Sequence, residues 1–288
     1  MISLQVGSGT SSTGGEVWVG AGRSTVHTGG LVSIVSGEGT ASSSGSIVVR
    51  SLNSGDSGVS GWLSFSSGAV TAAGGNSGAV YLGSGESTGG RGGAVVLTVG
   101  SGTSGTGGLV HVAAGRSTVH TGGALWLSSG EGTATSSGSV VVRSLNAGES
   151  GVSGALSFVT GTSSAGNSGG VSVTSGAATA GRGGAVVLSV GSGTSGIGGA
   201  MLVAAGRTTV HTGGVVHLSS GEGTASSSGS VVVRSANAGD AGASGALHFS
   251  TGTSKDGNSG SAAVGTGAAT GGRAGHILIS VGSGTSGV

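Results

Sequence analysis

GAVVLTVGSGTSGTGG, Gly93 to Gly108, decides how the rest of the chain is read. Its first half is an alternating apolar run. Its second half contains a literal G-x-G-x-x-G, Gly100 to Gly105. Two readings compete. In a dinucleotide-binding fold the glycines lead into a helix whose N-terminus meets the pyrophosphate, and an acidic residue follows about 20 positions later. Here the next stretch is another alternating run, Leu109 to Ala113. The glycines are therefore read as corners, where a missing side chain permits positive φ.

Working outward, the same words return. VGSGTS begins at Val6, Val99, Val190 and Val281, at spacings of 93, 91 and 91 residues. Inside each block lies a shorter period of about 15 residues. The second block divides into AVVLTVGSGTSGTGG, LVHVAAGRSTVHTGG, ALWLSSGEGTATSSG, SVVVRSLNAGESGVSG, ALSFVTGTSSAGNSG and GVSVTSGAATAGRGG. Each unit opens with period-two alternation. Its second positions are Val95, Val110, Leu125, Val140, Leu156 and Val171, and its fourth are Leu97, Val112, Leu127, Val142, Phe158 and Val173. Such alternation marks one face of a strand. A glycine follows, then a Ser/Thr/Gly segment, then a closing glycine.

This pattern predicts an all-β fold, a parallel β-solenoid with coils of about 15 residues. The whole chain, 1–288, reads as one continuous solenoid, in blocks of approximately 2–94, 95–185 and 186–276 with a partial coil 277–288. Coils in parallel register would lie about 4.8 Å apart, with backbone hydrogen bonds running from coil to coil. One coil offers only two or three sizeable side chains, so its stability would have to come from stacking. The chain opens and closes within a unit, at Ile2 and Val288. The solenoid reading takes these as ends able to stack head to tail, or as the edges of an excerpt.

Composition narrows the function. Of 288 residues 71 are Gly, with no Pro and no Cys, and 7% are charged. Large apolar side chains are too few for a thick core. Collagen is excluded by the missing proline and the missing three-residue glycine period. A net charge of +1 offers no basic face for nucleic acid. No apolar run reaches the length of a membrane-spanning helix, so no membrane insertion is expected.

Further motifs are weak. Gly85 to Gly89 and Gly166 to Gly170 match G-x-S-x-G, but a nucleophile elbow needs a strand-to-helix turn. His27, His120 and His211 are block-equivalent, so in a solenoid they would lie six coils apart and could not share an ion. No catalytic, cofactor or metal residues are assigned, and the chain is read as a non-enzyme. Three other patterns are singled out. Arg23 and Glu38, Arg116 and Glu131, and Arg207 and Glu222 are opposite charges one unit apart. Thr103, Thr118, Thr133, Thr194, Thr209 and Thr224 share the tenth position and would form a ladder, either pointing inward across a thin core, the preferred reading, or stacking on the outside. The third position, which should face outward, carries Trp18, Tyr81, Val96, His111, Trp126, Val187, Leu202 and His217. A contiguous exposed stripe of this kind suggests a lateral interface.

Blocks such as GGALWLSSGEGTATSSGSVVVRSLNAGESGVSGALSF, Gly122 to Phe158, resemble the Gly/Ser/Thr/Val-rich repeats of microalgal, diatom-like surface or secreted proteins. The resemblance covers essentially the whole chain and implies an extracellular or cell-surface structural or adhesive role. The coils also resemble those of antifreeze solenoids, which present flat Thr-rich arrays. Here Thr133-Ala134-Thr135 is an isolated Thr-x-Thr, and Trp18, Tyr81 and Trp126 would roughen the face. The expected function is thus a non-catalytic extracellular filament or stalk segment, assembled from itself by coil stacking and lateral packing. The alternatives are an ice-binding solenoid and an adhesin acting on ice or a glycan surface.

Overall fold

The computed structural model describes residues 2–10, 13–71 and 74–284. The chain divides into two parts, Met1–Val142 and Arg143–Val288. The division falls inside the fourth unit of the second block, directly after its apolar run, rather than between blocks.

The expected all-β solenoid is not formed. Among the described residues there is no helix and no strand, hence no sheet and no stack of coils. Nor is there a core, because no described residue is buried. All are exposed except Gly39, Ser51, Gly132 and Gly223, which are half-buried. The accessible surface is 28616 Å². A chain of this mass exposes about 10,500 Å² when packed and about 38,000 Å² when extended. The area therefore lies nearer the unpacked limit.

The physical reason lies in what alternation specifies. Period two fixes which side chains would share a face once a strand is paired, but it does not supply the pairing partner. The runs here are six residues long and separated by nine-residue segments rich in Gly, the residue that loses most freedom on ordering. The backbone hydrogen bonds are few and close within a unit, against roughly one bond per residue in a packed domain.

Those local bonds follow the repeat closely. In the second and third units of every block, the amide of the closing glycine donates to the carbonyl of the glycine at position seven. The six bonds are Gly30 to Gly22 and Gly123 to Gly115, both 2.8 Å, Gly45 to Gly37 and Gly214 to Gly206, both 2.9 Å, and Gly138 to Gly130 and Gly229 to Gly221, both 3.0 Å. Each ties off a loop at its neck. The neck is tight at the closing position: a β-carbon on Gly214 would lie 3.2 Å from the Gly206 nitrogen and 3.3 Å from the Ala205 methyl, so the neck would have to give by a few tenths of an ångström. In the first units the crowding is worse, with Gly199 offering only 2.6 Å to the Val190 Cγ1.

Within each loop the chain bends at positions ten to twelve, as at Thr118 to His120 and Thr209 to His211. In the second units a hydroxyl at position nine holds the bend. Ser24 Oγ accepts from the His27 amide at 2.9 Å, Ser117 Oγ from His120 at 2.9 Å, and Thr208 Oγ1 from His211 at 3.2 Å. The fifth units use Ser163 and Ser254 on Gly166 and Gly257 in the same way. The fourth units turn differently: Gly58 donates to Gly55, Gly151 to Gly148 and Gly242 to Gly239, enclosing Asp56, Glu149 and Asp240.

Thr103, Thr118, Thr133, Thr194, Thr209 and Thr224 each begin a bend and are exposed, in a chain with no buried residue among those described.

Candidate interaction surface

The opening G-x-G-x-x-G has a structural explanation. Gly105 and Gly196, the third glycines of two of its copies, adopt φ of +82°, which L side chains rarely reach. Neither copy is followed by a helix, so no helix N-terminus faces a phosphate. The copy at Gly282 to Gly287 runs beyond the described residues. The G-x-S-x-G matches also lack a strand-to-helix turn, and in one of them Gly166 belongs to a hydroxyl-held bend. Among the described residues no three His, Asp or Glu side chains gather as a metal site. No helix among them is long and apolar enough to cross a membrane.

What the fold offers instead is uncovered apolar side chain. Trp18, Tyr81 and Trp126 expose 84, 93 and 88% of their surface. Val96, Val187, Leu202, His111 and His217 are exposed with them. The second-position Val95 and Leu125 are about half exposed and the sixth-position Val99 is at 46%, whereas the fourth-position Leu97 and Leu127, at 73 and 78%, are nearly as open as the third. The runs therefore show no inner and outer face. The sixth side chain is partly covered because the closing glycine of its own unit lies against it, as Gly108 does against Val99.

Trp62 is likewise exposed, at 89%. It stands at the first position of its run, where the other blocks have Ala155 and Ala246, so a scan of third positions passes over it. Its signal was its size: it is one of three tryptophans in the chain.

The charge pairs occupy a defined place. Arg23, Glu38, Arg116, Glu131, Arg207 and Glu222 each stand at position eight, one residue past the carbonyl that closes a loop neck. The loops with a closed backbone neck are the loops that carry these charges. All six side chains are exposed, and no ion pair joins Arg23 to Glu38, Arg116 to Glu131 or Arg207 to Glu222. A shallow open concavity along Arg50, Ser51, Leu52 and Asn53 is lined by four consecutive residues and brings no distant group to them.

No family model, curated protein or solved structure matches the chain.

Proposed function

We propose that this chain is a non-catalytic structural protein that acts by associating with copies of itself, outside the cell or at its surface. The observation that carries the reading is the exposure of large apolar side chains, Trp126 at 88% among them, in a chain with no buried residue among those described. Monomers that function alone seldom present large contiguous apolar patches, because burying that area against a partner is favourable. Near-neutral net charge adds no long-range repulsion between copies. Stacking of coils has no place in the reading, since no strand that could build a coil forms among the described residues. The extracellular setting rests on the resemblance to microalgal surface repeats alone.

Sedimentation velocity over a wide concentration range tests this. Growth from a 26.1 kDa species to larger ones is expected. A single monomeric species at every concentration overturns the reading.

A further inference from the structure

The three pairs of charged loops are spaced identically, one unit apart and opposite in sign, yet unpaired within the chain. Each charge sits on a loop whose neck is fixed by a backbone hydrogen bond, so its place along the unit is set. Between such loops run exposed apolar residues, including Leu125, Trp126 and Leu127 between the Arg116 and Glu131 necks.

We propose that the partner of this surface is a second copy of the chain, running antiparallel, with the Arg loop of each copy against the Glu loop of the other. This deepens the self-association reading and rests on it. The sign pattern selects the arrangement. Two copies in parallel and in register would set Arg116 against Arg116 and Glu131 against Glu131, which is repulsive. Turned about a two-fold axis midway between the two loops, the same pair becomes self-complementary, and both ion pairs form together. The midpoint of 116 and 131 falls at Gly123 and Ala124, between the two loops and at the start of the run that holds Trp126. Aromatic burial then supplies attraction, while charge supplies register and rejects the parallel alignment. Single exposed pairs are weak, but the pattern occurs three times in one chain, so the contacts reinforce one another.

Two sets of variants test this. One makes position eight wholly acidic (R23E, R116E, R207E), the other wholly basic (E38R, E131R, E222R). Each alone is expected to associate about tenfold more weakly than the parent chain at low salt, because several weak pairs turn repulsive together. An equimolar mixture is expected to recover parental association. Circular dichroism of each variant should overlay the parent spectrum, as the changed side chains are exposed and make no contact that holds the loops. The chain has no Cys, so a single Ala124→Cys reports the axis. Under oxidation it should give covalent dimer, whereas Ala113→Cys, which would face residue 134, should not. Variants that associate like the parent, or equal cross-linking at the two positions, overturn the antiparallel arrangement and leave self-association standing. A parent chain that stays monomeric overturns both.

Discussion

Replacing Gly223 by alanine should open the loop it belongs to, whereas replacing Gly221 in the same loop should tighten it. At Gly223 an added β-carbon would lie 2.8 Å from the Ser226 carbonyl oxygen and still closer to that of Ser227. Both are backbone atoms, so they can recede only if the loop itself moves. At Gly221 nothing lies within 4 Å, and its φ is not in the left-handed region. The loop is held by the Gly229 amide on the Gly221 carbonyl at 3.0 Å. A net hydrogen bond contributes about 0.5–1.5 kcal/mol, which corresponds to about 2-fold to 12-fold protection of the amide from exchange. Gly223→Ala should remove that protection. Gly221→Ala should increase it by about 2-fold to 5-fold, because a compatible Gly to Ala change restricts the open loop by about 0.4–1 kcal/mol. Amide exchange of Gly229, followed by NMR in the two variants and the parent, measures both effects. Retained protection in Gly223→Ala, or the same change in both variants, would refute the claim that bare glycines shape the neck.

Two other outcomes follow from the same surface. Trp126→Asp should weaken self-association at least about tenfold, since burial of a large apolar side chain contributes about 1.5–3 kcal/mol; sedimentation equilibrium reads it. Thermal hysteresis should be absent, and Thr118→Tyr with Thr209→Tyr should change nothing, because exposed threonines without a sheet beneath them form no flat array to match ice.

The local half of this structure was legible in the sequence. The 15-residue period locates every neck; of the glycines expected to turn the chain with positive φ, Gly105 does so, whereas Gly115 and Gly123 do not and instead share the hydrogen bond that closes a neck. Thr118, at position ten of its unit, opens a bend and is exposed. The long-range half was not legible. Val95 and Leu97 alternate as a strand would, but alternation carries no information on whether a run finds a partner within its own chain. A solenoid needs bonds from unit to unit, whereas the nearest acceptor for the Gly123 amide lies eight residues back in its own loop. Arg116 and Glu131 illustrate the same limit: their spacing is plain in the sequence, and their lack of a mutual contact is not.

That division between local and long-range has a consequence for function. A unit that closes its own loop does not depend on its neighbours for its shape. The Leu109 to Gly123 unit makes its neck and its hydroxyl-held bend with groups inside those 15 residues. Its apolar run makes no such internal closure, and Val110 and Val112 remain 49 and 62% exposed. Shape is therefore settled within the unit, while the favourable burial of apolar area is left for contacts with something else. Repetition multiplies those contacts without altering any unit. Two chains that meet at one run bring further equivalent runs within reach, each at a higher effective concentration than free chains would have. Weak contacts then give strong association only when many act together. Association strength should consequently depend on the number of blocks more steeply than on the quality of any one run, which is the behaviour suited to a repeat-built structural material.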